Sequence, residues 1–280
     1  MAEFDYDIVG KIGSMALIRK EDSDIDYNIF SRVCSELKPG MIWVSSGATE
    51  IGRLDYIKRN GHGLDETEGK EEAKTDYSAQ GQAILMEYYR KFINQKYSVR
   101  QILVEHQHFN NPEKREYIKQ TLLRAKDQGA IPIVNYNDPV SSEENRRWEI
   151  SSLKGDKQAA EHVVECIDND ETASVITQLV RARTLVILTT VEGIYDDPKD
   201  PQTLVREILA KTPEELQEKI HNQQKSCVGA SRQGANGAWA KLEYITKPAM
   251  QGTTVIIGSA KYRLSDLIAD RVPNTRIGLI

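Results

Sequence analysis

The 280 residues carry 39% hydrophobic and 28% charged side chains, an ordinary balance for a globular chain long enough to bury a substantial core. A formal net charge of -5 excludes a general electrostatic case for binding nucleic acid, and the scattered Cys34, Cys166 and Cys227 exclude both a disulfide framework and a CxxC metal site. The acid-rich opening is unlike a signal peptide, and no apolar run nears the roughly 18 residues a membrane span needs, so the expectation is a cytoplasmic protein without a membrane partner.

Along the chain, apolar strand-like runs alternate with amphipathic stretches. Strands are expected over residues 6–12, 41–44, 101–104, 131–134, 184–188 and 253–257. Helices are expected over 27–37, 75–94, 112–128, 171–182, 213–223 and 239–251. This alternation predicts βαβ units, hence an α/β chain with a mainly parallel sheet and helices on both faces, folded as one domain over 1–280. The charged run 59–74 reads as an exposed loop, with a lid as the alternative. The stretch 143–161 is similarly polar.

Several polar or glycine-bearing clusters fall where these strands must end, at the edge where open α/β sheets bind ligands. Lys11-Ile12-Gly13-Ser14 combines a point charge with a glycine that admits close approach of an anion; a plain strand-end turn is the alternative. Ser45-Ser46-Gly47-Ala48 suits an anion cradle at a helix start, and equally a serine cap. The run Ile131-Pro132-Ile133-Val134 breaks into Asn135-Tyr136-Asn137-Asp138, either an Asx-rich turn or a substrate edge. Asp168-Asn169-Asp170 either caps the helix that follows or meets something cationic; Asp170 is placed to orient lysines. Thr189-Thr190 and the turn Gly193-Ile194-Tyr195-Asp196-Asp197-Pro198 suit a nucleoside pocket or a β-turn. Gly234 to Lys241 is a glycine-bearing loop opening a helix, and the Walker pattern is absent. Two lysines, an acid between them and several glycine-bearing strand ends are what phosphoryl transfer requires, since that chemistry is mostly charge placement.

The order of these motifs resembles the amino-acid kinase family, and within it the glutamate 5-kinase branch. The carriers are Lys11-Ile12-Gly13-Ser14, Ser45-Ser46-Gly47-Ala48 with Gly52-Arg53, Ala79-Gln80-Gly81-Gln82, Pro132 through Asp138, Ile167-Asp168-Asn169-Asp170, Leu188 through Tyr195, and Gly234 through Lys241. The resemblance spans nearly the whole chain and implies a three-layer α/β/α sandwich. It further implies an acceptor part over about 1–170 and a nucleotide part over about 171–280. Lys11, Lys241 and Asp170 would be the catalytic group. Ser46, Gly47, Ala48, Asp138 and Asn169 would hold the acceptor, with Asp138 on an amino-acid ammonium. Gly13, Ser14, Thr189, Thr190, Gly193, Tyr195, Asp197, Pro198, Gly234 and Gly237 would hold ATP, with Mg2+ bridging its phosphates and no metal held by protein ligands alone. The implied reaction makes an acyl phosphate from a side-chain carboxylate, glutamate first, and the implied assembly is a homo-oligomer.

The departures from the family pattern are specific. Thr190 stands where the family has Asp, Tyr136 where it has Glu, and the late loop reads GANGAWAK with Ala240 before the lysine. Asp138 and Asn169 are 31 positions apart, a longer spacing than the family's, with the extra segment at roughly 143–161. The expectation is a kinase domain alone, without the further C-terminal domain that many glutamate 5-kinases carry. These departures keep two alternatives open: a related kinase with another small acceptor, and a non-catalytic nucleotide-binding or storage protein. Retention of Lys11, Asp170 and Lys241 together argues against the second.

Overall fold

Strand β1 (Tyr6–Ile12) is the centre about which the chain is wound. After it come the hairpin β2 (Ile18–Arg19) and β3 (Asp24–Ile25), α1 (Tyr27–Glu36), β4 (Met41–Ser45), α2 (Ala48–Asn60) and α3 (Lys70–Phe92). The middle third holds β5 (Ser98–Val104), α4 (His106–Asn110), α5 (Pro112–Asp127), β6 (Ala130–Tyr136), α6 (Glu143–Gly155) and α7 (Asn169–Leu179). Then follow β7 (Ala182–Thr189), the hairpin β8 (Ile194–Tyr195) and β9 (Leu204–Val205), β10 (Glu207–Ala210) and α8 (Pro213–Ser226). The chain finishes with α9 (Ala238–Met250), β11 (Thr254–Ser259), α10 (Leu264–Ile268) and β12 (Asn274–Leu279). This is a computed structural model, and it describes residues 4–19, 21–64, 69–141, 143–155, 163–166, 168–227 and 237–280.

Eight strands form one sheet in the order β10-β12-β11-β7-β1-β4-β6-β5. Neighbours are parallel except β11 and β12, which makes the sheet mainly parallel as expected. From β1 the chain winds toward β4, β6 and β5, then crosses back to β7 on the other side. The carboxyl ends of β1, β4 and β7 therefore frame a topological switch point, the place in such a sheet that leaves a crevice for ligands.

Side-chain alternation along the strands feeds two cores. Met41 and Trp43 of β4 pack with Phe30 of α1, Ile51 of α2, Leu85 of α3 and Leu267 of α10. Ile42 and Val44 face the other way, with Ile118 of α5, Ile176 of α7, Leu216 of α8 and Ile245 of α9. The sheet is thus covered on both faces, which is why its strands read as continuous apolar runs. No described helix is long and apolar enough to cross a membrane.

Some expectations are corrected. The charged run expected as a loop over 59–74 is helical at its two ends, since α2 extends to Asn60 and α3 begins at Lys70, with Lys74 Nζ 2.6 Å from Glu71 Oε1 along its surface; residues 61–64 between them belong to neither helix, and 65–68 lie outside the described residues. Charged residues at helical spacing support a solvated helix as readily as a loop. The polar segment at 143–161 contains α6 up to Gly155, and residues 156–162 lie outside those described. Edge strand β10 and strand β12 had no forecast.

Helices α2 and α3 touch through two glycines. A Cβ on Gly52 would stand 1.8 Å from the Tyr77 carbonyl oxygen, and one on Gly81 would stand 1.8 Å from that of Ala48. The backbones meet because neither residue has a side chain, and that closeness brings Gln82 under the end of β6.

Candidate active site

Helix α7 starts at the switch point, and its first residues have divided duties. Asp168 is the N-cap: its Oδ1 accepts from the Asp170 and Glu171 amides at 2.7 and 3.1 Å. Asp170 has no solvent exposure and holds two lysines. Lys11 Nζ, from the end of β1, is 2.6 Å from Oδ1, and Lys241 Nζ, from the first turn of α9, is 2.8 Å from Oδ2. Burial opposes ionisation of Asp170, but the charges of Lys11 and then Lys241, with their hydrogen bonds, outweigh it and hold the carboxyl below its ordinary range. The result is a desolvated bridge of two cations on one anion, carrying a net positive charge at the crevice.

Two clefts meet there, sharing Ser14 and Ser46. One, of about 340 Å³, is lined by Lys11, Gly13, Thr189, Thr190, Gly193 and Lys241 among others. The other, of about 220 Å³, is lined by Gly47, Ala48, Asp138, Asp168, Asn169 and Arg146 among others. The bridge thus sits between a larger, more apolar cavity and a smaller polar one.

The smaller cleft is ordered by a chain of amides. Asn169 Nδ2 donates to Ser46 Oγ at 3.1 Å and to Asn135 Oδ1 at 3.0 Å, and Asn135 Nδ2 donates to Gln82 Oε1 at 2.7 Å. Gly47, with φ of 104°, turns the chain into α2 in a conformation that favours glycine. Asp138 and Asp168 are short of partners. Burial pushes Asp138 up to about 6, opposed by the charge of Arg146. Burial, then the neighbouring charge of Asp170, pushes Asp168 up to about 6, and its Oδ2 has no hydrogen-bond partner among the described residues. Two carboxyls in a polar cavity suit a cationic group brought by a ligand.

Helix α6 closes one wall of this cleft. The Arg146 guanidinium lies 5.1 Å from the Tyr136 ring centroid, and its Nη1 donates to the Cys166 carbonyl at 3.2 Å. Three residues on, Glu149 Oε2 is 2.8 Å from Nε2 of buried His106, whose Nδ1 is 3.3 Å from the Tyr136 hydroxyl. Burial lowers the His106 pKa, so the contact is a hydrogen bond from a neutral ring to Glu149. Tyr136, one of the departures noted in the sequence, is thereby the post to which α6 is tied.

Of the residues singled out in the sequence, Lys11, Gly13, Ser14, Ser46, Gly47, Ala48, Asp138, Asn169, Asp170, Thr189, Thr190, Gly193 and Lys241 gather at the two clefts or the bridge. The Gly13 amide is already committed, donating to the Leu188 carbonyl at 3.1 Å, so Gly13 contributes shape rather than a donor. Gly193 is pressed against Thr275, whose Oγ1 would lie 2.3 Å from a Cβ there. Gly237 is the N-cap of α9 and accepts from the Lys241 amide at 3.2 Å, fixing the lysine's turn. Tyr195 is half-buried in β8 and does not line either cleft; Asp197 and Pro198 lie in an exposed turn where Asp197 Oδ1 accepts from the Lys199 amide. Gly234 lies outside the described residues. Sequence reasoning missed Arg146. An arginine in a polar stretch looks like any solvated surface residue, and no spacing marks it.

The layered sheet has recognisable company among solved structures. Carbamate kinase from Giardia lamblia, bound to AMP-PNP, superposes with a TM-score of 0.59 at 15% identity over 100% of this chain and 99% of that one. UMP kinase from Ureaplasma parvum gives 0.56 at 12% identity, covering 98% of each chain. At such identities the likeness concerns the fold, which is that of the amino-acid kinases. The model of the amino acid kinase family matches residues 8–259, and the chain belongs to that family. Glutamate 5-kinase of Clostridium perfringens is 28% identical over 259 residues, 89% of this chain and 82% of its own length. Glutamate 5-kinase of Bacteroides thetaiotaomicron is 30% identical over 265 residues, 91% of this chain. The chain spans 64% of that relative and 34% of a rice Delta-1-pyrroline-5-carboxylate synthase that is 28% identical.

Proposed function

We propose that the protein transfers the γ-phosphoryl group of ATP to the side-chain carboxylate of a small amino acid, glutamate first, giving an acyl phosphate and ADP. The observation that carries this reading is the Lys11–Asp170–Lys241 bridge set between a nucleotide-sized cleft and a smaller polar one. A carboxylate oxygen attacks the γ-phosphorus, the bond to the bridging oxygen breaks, and ADP departs with that oxygen. The attacking group is already ionised and needs no base. The barrier is one of gathering anions, so two positioned ammonium groups supply the stabilisation required. Asp170 holds both lysines in register. Amides at Ser14 and Gly47 would cradle the moving group's oxygens, and Ser46 with Asn169 would orient the attacking carboxylate.

ATP would occupy the cleft of Thr189, Thr190 and Gly193. Magnesium would arrive on the nucleotide's phosphates, keeping most of its water. Asp168, whose Oδ2 has no partner among the described residues, is the residue that would accept from that hydration shell. When bound, the ion neutralises charge on the β- and γ-phosphates.

The test is ADP release with ATP and magnesium against a panel of acids, with hydroxylamine present to trap acyl phosphate. Glutamate-dependent turnover with hydroxamate formation supports the reading. ATP binding with no acid-stimulated turnover would instead assign a different acceptor.

A further inference from the structure

The small cleft has an uneven distribution of charge. Glu50, Asp138 and Asp168 line it together with a single cation, Arg146, among the described residues. That arginine comes from α6, within the stretch that lengthens the spacing between Asp138 and Asn169. It is held by the Tyr136 ring at 5.1 Å and by the Cys166 carbonyl at 3.2 Å, and its helix is fixed through Glu149 to His106. A guanidinium presents five N–H donors in a planar fork, enough to be anchored by the protein and still grip a carboxylate with two parallel bonds.

A cavity with several carboxyls and one arginine repels a phosphorylated acceptor, whose two negative charges would face three acids. It suits a zwitterion, whose ammonium meets Asp138 while its carboxylate meets the arginine. The volume of about 220 Å³ also suits an amino acid rather than a nucleotide. We infer that Arg146 is a specificity-determining residue that binds the carboxylate of the acceptor that is not phosphorylated. This deepens the kinase reading above and rests on it.

The experiment measures binding of L-glutamate and of 4-aminobutyrate by calorimetry, alongside ADP release, for the wild type, Arg146→Ala and Arg146→Lys. Losing a charged hydrogen-bonded contact should weaken L-glutamate about 10- to 100-fold in Arg146→Ala, seen as a raised KM with kcat changed far less. Arg146→Lys should recover part of that loss, because it restores charge without the fork. 4-Aminobutyrate, which lacks the second carboxylate, should bind wild type and Arg146→Ala with the same weak affinity. An unchanged thermal midpoint and ATP affinity would show that the variant is folded. Equal L-glutamate affinity in folded Arg146→Ala and wild type would overturn the inference while leaving the kinase intact. Wild-type binding of L-glutamate through Arg146 without ADP release would sustain the inference and sink the catalytic reading. Failure of the wild type to bind any α-amino dicarboxylate would overturn both.

Discussion

Gly81 of α3 and Ala48 of α2 stand so close that the first cannot carry a side chain: its Cβ would lie 1.8 Å from the second's carbonyl oxygen. Because Ala48 lines the small cleft and Gln82 braces Asn135, this contact sets the cleft's shape. Gly81→Ala should force the helices apart and cost about 3 kcal/mol, the upper range for overpacking. Gly61→Ala, where φ is 78° but nothing lies within 4 Å, should cost about 1 kcal/mol through backbone strain alone. Urea denaturation of the two variants separates these. Equal costs would mean that the helix contact yields easily.

Lys11→Ala and Lys241→Ala each strip buried Asp170 of one of its two countercharges. Turnover should fall at least about 100-fold in each, with ATP affinity changed by a few-fold at most. Calorimetric titration with a non-hydrolysable ATP analogue measures the second quantity. Full turnover in both variants would remove the bridge from the mechanism.

Asp138 and Asp168, displaced upward from 3.8 to about 6, give the unliganded protein a pH-dependent weakness. Between those values the folded chain retains protons that the unfolded chain has lost. Their favourable contribution is complete below the ordinary value and disappears as the pH rises through about 6. Asp170 has the opposite sign, its contribution being lost as the pH falls. Asp168→Asn still caps α7, so its thermal midpoint relative to wild type should rise from about pH 4 to about pH 7. A constant difference would show that Asp168 is not the source. In the proposed reaction an ammonium pairs with ionised Asp138, so kcat/KM for glutamate should climb through about pH 6.

Tyr136→Phe removes a hydroxyl that sits 2.9 Å from Ser141 Oγ and 3.3 Å from His106 Nδ1. Helix α6 should then exchange its amide hydrogens faster, about 5-fold for the loss of roughly 1 kcal/mol. Hydrogen exchange resolved to peptides checks this, with α5 as the unaffected reference.

The sequence spoke most clearly where a short motif coincides with a strand end. The bounds of β1 are the expected ones, and the bases of the Lys11 and Ser46 turns lie side by side because β1 and β4 are paired there. Strands β10 and β12 were illegible because Glu207, Asn274 and Arg276 break the apolar runs, and pairing rather than composition makes them strands. The glycines at 52 and 81 give no hint of each other, since their contact exists through the packing of two helices. Asp138 and Asp168 look like turn residues until burial is known. Arg146 was hidden for a further reason: its role depends on where α6 docks, which is set by Tyr136 at the end of β6 and by His106 far upstream.

The attachment of α6 has one more consequence. The end of β6 is anchored by Asn135 to Gln82, and the start of α7 is anchored by its own Asp168 cap and by Asp170 to the lysines. Both ends of the intervening segment are therefore held without help from the segment itself. Replacing the segment is expected to change the α6 wall of the small cleft while the Lys11–Asp170–Lys241 bridge stays in place.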